Sequence, residues 1–391
     1  MDKMPVTIQD LQYLYKELKV FRRDLHKYPE LGFKEVRTSR KIFDKLKTLD
    51  LEVHAGVGKT GLVGVLKRGI SNKKIMLRAD MDALPIIETS NHTHVSKNSG
   101  IMHACGHDGH TTMLLGAAKY LSQKSNFSGT VYFVFQPNEE HGLGAKAMMD
   151  DGLFERFPAQ EVFGMHNLPG APLGEISSRQ GVICASETLF EINITGKGGH
   201  SSMPHLGVDS ILVGSDIVIA IQKILSRKLK PGTGAVISVT EFITDGSRNI
   251  LPGNTLLKGD FRAFNSKDRM SVQKHLKQIC YGISKLHNIK IEVKFRNEFI
   301  ETVNSKKTLS KSFKAAKDLG LKIITNREPM PFSEDFAHFS KIKPTSFILI
   351  GNGTEGDFAN PLHSSSYDFD DNLLVIGASF WSRLVENYFK I

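Results

Sequence analysis

The densest concentration of reactive side chains in this 391-residue chain is His103-Ala104-Cys105-Gly106-His107-Asp108-Gly109-His110, with one thiol, three imidazoles and one carboxylate in eight residues. Mixed sulfur and nitrogen donors suit a Zn-like transition metal better than Mg²⁺ or Ca²⁺. A competing chemistry makes Cys105 a nucleophile with His107 as its base, but that also needs an oriented base and an oxyanion site. A third reading is a His-rich surface turn. The apolar run that follows at 109–121 argues against it by anchoring the cluster to a core.

Phe135-Gln136-Pro137-Asn138-Glu139-Glu140 forms a second constellation at the end of an almost fully apolar run. Adjacent side chains at a strand end diverge, so one carboxylate can ligate a cation while its neighbour takes a proton from an attacking water. A Glu-Glu pair alone is more often a solvated loop. His166 is expected to end another buried strand, where a histidine is more often a satisfied core residue than a ligand. His363 lies in a polar loop, Leu362-His363-Ser364-Ser365-Ser366, near the C-terminus.

These residues need elements to position them. Thr7 precedes apolar residues at Ile8, Leu11, Leu14, Leu18, Phe21 and Leu25, whose steps of three and four predict one helix face closed by Pro29. Thr7 and Asp10 have the spacing of a capping box. A second helix carries Val36, Ile42, Phe43 and Leu46. Apolar runs at 62–66, 75–77, 131–135 and 162–165 read as strands, with a helix at 109–121. Strands alternating with helices predict an α/β sheet covered on both faces, which gathers ligands at its strand ends.

Beyond Val182 the pattern changes. Strands at 188–194, 235–240, 256–264 and 289–295 and helices at 208–225 and 272–286 give a β-α-β-β-α-β order. That order predicts an antiparallel, ferredoxin-like α+β module. The chain then returns to helix, a strand at 346–350 and a last helix from Asn372. The expected architecture is a discontinuous α/β domain over 1–182 and 305–391, with an inserted domain over 183–304.

A net charge of +10 raises nucleic acid or anionic membranes as partners. The basic residues form no run and no aromatic-interleaved surface, so neither partner is expected. Three distant cysteines exclude a disulfide framework and fit a reducing compartment. The first twenty residues lack the apolar core of a leader, and the most apolar stretch, 211–225, contains Asp216, Gln222 and Lys223. A soluble, cytoplasmic protein is expected.

Taken in order, the motifs resemble the family of aminoacylases, hippurate hydrolases and indole-acetyl-amino-acid hydrolases, a group of co-catalytic metallopeptidases. The resemblance starts at Asp24-Leu25-His26-Lys27-Tyr28-Pro29-Glu30-Leu31-Gly32 and includes Leu77-Arg78-Ala79-Asp80-Met81-Asp82. It takes in the Cys105 block and Gln136-Pro137-Asn138-Glu139-Glu140, then Gly198-Gly199-His200-Ser201-Ser202-Met203-Pro204-His205. It ends at Ser333-Glu334-Asp335-Phe336 and Leu362-His363.

The resemblance implies two divalent ions (Zn, Mn, Co or Ni) held by Cys105, His107, Glu140, His166 and His363. Glu139 matches the general base and Asp82 a carboxylate that orients the metal cluster. His200 matches a donor to the substrate carbonyl, Asn249 a second polar contact, and Arg262 a partner for the substrate carboxylate. The inserted module is implied to be a lid and homodimerisation domain. Where the wider superfamily has a His ligand two residues before Asp82, this chain has Asp80, as does the branch with the Cys105 block. Phe332 stands where relatives carry a small residue, and Ser364-Ser365-Ser366 lacks a proline common there. The expected activity is hydrolysis of N-acyl-L-amino acids to a carboxylic acid and a free amino acid. The alternative is a non-catalytic metal- or ligand-binding protein on the same scaffold.

Overall fold

A computed structural model describes residues 5–49 and 51–390. Thr7 and Asp10 cap each other: Asp10 Oδ2 accepts from the Thr7 N–H and hydroxyl, both at 2.8 Å, and Thr7 Oγ1 accepts from the Asp10 N–H at 3.3 Å. The first turns are nevertheless a 3₁₀-helix, Gln9–Leu14, and α1 proper spans Tyr15–Lys27. The single helix expected from the periodicity is therefore split, a common arrangement at helix N-termini. Its apolar face at Leu11, Leu14, Leu18, Phe21 and Leu25 is buried as the spacing requires. Glu30 opens α2 (Val36–Lys47), accepting from the backbone N–H groups of Arg37 and Thr38 at 3.1 and 2.8 Å.

Next come β1 (Glu52–Val57), β2 (Gly61–Arg68), β3 (Lys74–Asp80), α3 (His107–Gln123), β4 (Gly129–Gln136) and β5 (Glu161–Pro169). They build an eight-stranded sheet in the order β1-β2-β4-β3-β5, continued by Thr345–Gly353, Ile176–Ser177 and Ile323–Ile324. β4, β3, β5 and Thr345–Gly353 run parallel, while β1 and β2 attach antiparallel. Every residue of β4 is buried, and β3 and β5 are exposed only at one end, as expected of strands covered on both faces. Parallel strands present their C-terminal ends on one edge, so Asp80, the turn after Gln136, and Asn167 come together there.

The second unit is an antiparallel sheet in the order Ala235–Thr244, Asn254–Ala263, Ser186–Thr195, Lys290–Phe299, with helices Ser210–Arg227 and Ser266–His287. This is the ferredoxin-like order. Along Ser186–Thr195 burial alternates strictly, so Phe190, Ile192 and Ile194 join the core with Val213, Ile217, Ile221 and Leu276. Asp209 and Asn265 cap the two helices through their side chains. By contacts, the first unit comprises Met1–Ile183, Thr302–Glu328 and Asp335–Ile391, and the second Cys184–Glu301 and Pro329–Glu334. Gly181–Cys184 pairs with Thr302–Asn304 where the chain leaves and re-enters the first unit.

Candidate metal centre

Gly106 separates two donors, Cys105 and His107, and adopts φ +88°, which glycine tolerates best. A Cβ there would lie 2.3 Å from Asn167 Oδ1 and 2.7 Å from Tyr367 Oη, so this turn is shaped by its neighbours as well. His107 begins α3 and is fully buried. Its Nδ1 donates to Asp82, 3.0 Å from the carbonyl oxygen and 3.2 Å from Oδ1, which leaves the Nε2 lone pair facing the cluster. Asp82 Oδ2 accepts from the Glu140 backbone N–H at 3.0 Å. One carboxylate thus sets both an imidazole and the turn that carries a glutamate.

That turn is not a strand end, as the sequence suggested. β4 stops at Gln136, Pro137 has no N–H to continue the ladder, and Asn138 adopts φ +49°. The Asn138 N–H donates to Glu35 Oε1 at 2.8 Å and its carbonyl accepts from Gly144 at 3.1 Å. Glu140 then places Oε1 3.8 Å from His107 Nε2 and Oε2 3.4 Å from His363 Nε2. His363 itself has φ +66°, and its N–H donates to the Ala104 carbonyl at 2.8 Å, tying the C-terminal loop to the Cys105 turn.

His166 does not end its strand. β5 continues to Pro169 because its partner Thr345–Gly353 keeps pairing beyond Leu349, the residue opposite His166. The His166 Nδ1–H donates to the Asn167 carbonyl at 2.7 Å, and its Nε2 lies 3.4 Å from Cys105 Sγ. Burial, with the charge of His110, holds the His166 pKa well below its ordinary value, so it presents a neutral ring. Burial also pushes the Cys105 thiol up, and Glu140, Glu139 and Asp80 add to the effect. A nucleophilic Cys105 would need the opposite shift and His107 beside it, so this geometry disfavours that reading.

Three overlapping groups of donor atoms result: Cys105, His107 and His166; Cys105, Glu140 and His363; His107, Glu139 and Glu140. Within each group the atoms lie within 4.8 Å of one another. The donor set fits divalent cations on two counts. His107 Nε2 and Glu140 Oε1 are buried and face each other without a hydrogen-bond partner. Burial works against charge on His107, yet Asp80, Asp82 and Glu140 hold its pKa up at about 10. A cluster that draws a proton onto a buried imidazole is short of positive charge.

Glu139 is buried, and its Oε1 accepts from the Asp335 N–H at 3.4 Å. Asp335 is in turn fixed by Arg78 at 2.9 Å, Gln136 at 2.7 Å and the Ala145 N–H at 2.8 Å. Asp80 forms a further donor group with His107 and His110, its Oδ2 lying 3.9 Å from His107 Nε2. It accepts from His110 Nδ1 at 2.6 Å and Arg78 at 2.7 Å, bracing α3 against β3. Glu35 and these supporting roles of Asp335 and Asp80 escaped the sequence reading. Only Asp80 has a sequence signal, a charged residue closing a largely apolar strand; Glu35 and Asp335 lie in loops.

His200, Asn249 and Arg262 belong to the second unit. Gly199–His200 pairs with Ile250–Leu251, and the Ser201 N–H donates to the Asn249 carbonyl at 3.1 Å, so His200 and Asn249 share one exposed ribbon. His200 Nδ1 accepts from the Ser202 hydroxyl at 2.7 Å, which puts the ring proton on Nε2. Arg262 is engaged already. It pairs with Glu187 and with Asp260 at 3.0 Å, and donates to the Pro331 carbonyl at 3.1 Å and to Ser333 Oγ at 3.3 Å. Phe332, between those last two, is half-buried and accepts from the Ala185 N–H at 3.1 Å.

A sheet edge lined with Cys, His and Glu donors, a buried glutamate beside them and a ferredoxin-like insertion define a metal-dependent hydrolase. The chain belongs to Peptidase family M20/M25/M40, whose sequence model matches residues 76–387. It is 40% identical over 385 residues to a hippurate hydrolase of Campylobacter jejuni, covering 98% of this chain and 99% of that one. An N-acetylcysteine deacetylase of Bacillus subtilis is 35% identical, over 93% of this chain and 94% of its own. A dinuclear metal binding peptidase of the M20 family from Bacillus subtilis superposes with a TM-score of 0.84 at 31% identity, covering 97% of this chain and 99% of that one. No helix among the described residues is long and apolar enough to cross a membrane.

Proposed function

We propose that this protein hydrolyses the amide bond of N-acyl-L-amino acids, releasing a carboxylic acid and a free amino acid. The observation that carries the reading is the facing pair His107 Nε2 and Glu140 Oε1, buried and without a hydrogen bond, with Glu139 in the same donor group. Cys105, His107, Glu140, His166 and His363 would hold two divalent ions. Such ions polarise a scissile carbonyl and bring the pKa of a water towards neutrality. Glu139 takes the proton of the attacking water and returns it to the departing amine, a service worth roughly 100- to 10,000-fold in rate. Asp82 keeps His107 and the Glu140 turn in register.

His200, with its proton on Nε2, is suited to donate to the developing oxyanion, a contribution of ~3–4 kcal/mol for one donor. Asn249 is a neighbouring polar contact. Arg262 would offer a substrate carboxylate a guanidinium that already pairs with Glu187 and Asp260. A homodimer through the second unit is supported by its exposed apolar residues. Ile211, Leu212 and Ile219 lie on one helix, and Val236, Phe242 and Ile243 on the edge strand Ala235–Thr244. Three free, buried cysteines support a reducing, cytoplasmic setting.

The test is a panel of N-acyl amino acids (benzoyl, acetyl and indole-acetyl) assayed after chelation and reloading with Zn, Mn, Co or Ni. Turnover that returns with metal is expected. A protein that binds metal and N-acyl amino acid but turns over none of the panel would instead be a binding protein on this scaffold.

A further inference from the structure

A second histidine cluster lies in the first unit, on residues the proposed reaction does not use. The segment from Leu84 to Gly100 contains no helix or named strand, yet its side chains His92 and His94 turn inwards and stack at 3.6 Å with rings 5° from parallel. Loops this long without regular structure are uncommon in compact domains. His26 of α1 lies edge-on to both rings, with centroids 5.3 and 5.2 Å away.

The hydrogen bonds around these rings leave them short of partners. Asp108 Oδ2 lies 2.9 Å from His26 Nδ1; burial works against charge on the ring, yet this carboxylate and a second one at Nε2 hold its pKa up at about 9. His26 Nε2 faces Glu88 Oε1 at 3.2 Å, and His92 Nε2 faces the same oxygen at 3.0 Å in a geometry that makes no hydrogen bond. Both His92 nitrogens, both His103 nitrogens and His94 Nδ1 are buried without a hydrogen bond. Protonating His26 would settle one contact and leave the others orphaned, at a cost each. The donor atoms of His26, His92 and Asp368 lie within 4.8 Å of one another. A carboxylate holding the far nitrogen of a histidine, as Asp108 holds His26, is the usual support of a metal-bound imidazole.

Charge allows the same reading. Glu88, Asp108, Asp368 and Asp371 are opposed by Arg22, which contacts the last three, and by Arg23 and Lys19, which reach only Asp371. Four carboxylates thus face three side-chain cations, and the balancing charge is either a proton on His26 or a bound cation in its place.

We propose that His26, His92, Glu88 and Asp368 form a further cation site, taking a Zn-like divalent ion through two imidazoles and two carboxylates. Nitrogen–oxygen donor sets of this kind favour Zn²⁺ or Co²⁺ over Ca²⁺ or Mg²⁺. The ion staples the long loop to α1 and to the segment around Asp368. The same loop runs directly into Met102, His103 and Cys105, so its anchoring steadies the catalytic donors without contributing one.

The full chain, stripped with chelator and dialysed against Zn²⁺, is assayed for metal per chain by elemental analysis. The double variant Glu88→Gln/His92→Ala is expected to hold one ion fewer than the wild type. The same difference is expected in a Glu140→Ala background, which separates this site from the catalytic one. Equal metal content in both comparisons overturns the proposal. Should the double variant not fold, zinc-edge anomalous scattering from wild-type crystals decides: a peak between His26 and His92 supports the site, and its absence overturns it.

Discussion

Asp82 and His107 are locked through two acceptors on one residue: His107 Nδ1 lies 3.0 Å from the Asp82 carbonyl oxygen and 3.2 Å from its Oδ1. The other carboxylate oxygen holds the Glu140 N–H. Asp82→Ala therefore loosens one imidazole and one carboxylate together. Metal affinity is expected to fall roughly 10- to 100-fold, measured by competition with a chromophoric chelator. Unchanged affinity would show that His107 and Glu140 are positioned without Asp82.

Glu139→Gln removes the proton acceptor and keeps the shape. We expect kcat for an N-acyl amino acid to fall by roughly 100-fold or more, with the metal content of the wild type retained. A variant that loses metal in proportion to activity would make Glu139 a ligand and not a base.

Glu35 carries a pH signature. Burial, opposed by the Thr60 hydrogen bond and reinforced by the charge of Asp82, raises its carboxyl from the ordinary 4.5 to about 7. The folded state resists ionising Glu35 more than the unfolded chain does. Its contribution is full below pH 4.5 and is lost as the pH rises through about 7. Glu35→Gln keeps an acceptor for the Asn138 N–H and cannot ionise. In chelator-treated protein the variant and wild type should match near pH 4. By about pH 8 the variant should be more stable by on the order of 2–3 kcal/mol in urea denaturation. Parallel pH curves would contradict this.

Gly106→Ala tests the turn between the first two donors. A side chain at φ +88° would be strained and would meet Asn167 and Tyr367. A loss on the order of 1–3 kcal/mol is expected from the backbone alone, seen as a lowered Tm, together with reduced metal content. Wild-type stability would mean that the turn relaxes freely.

Much of the scaffold was legible because periodicity is a local property. Strict alternation over Ser186–Thr195 and unbroken burial over β4 follow from how adjacent side chains leave a pleated strand. The β-α-β-β-α-β order likewise announced the ferredoxin-like unit. The split of the first helix and the extension of β5 past His166 were not legible. Steps of three and four do not separate a 3₁₀ turn from an α turn, and the extension depends on the length of a partner strand far along the chain.

The sequence by itself determined the candidate donors: a thiol, imidazoles and glutamates, in motifs that mark one hydrolase family. Only the tertiary structure decided which atoms face which. His363 comes to Glu140 because the C-terminal loop is tied to Ala104, and Glu139 is held by Asp335, 196 residues away. The same applies to Arg262, which the family resemblance matches to a partner of the substrate carboxylate and which the fold sets beside Glu187 and Asp260. A residue type fixes what an atom can bond to. The order of strands in the sheet fixes what it meets, and that order is set by the burial of the whole chain rather than by any segment of it.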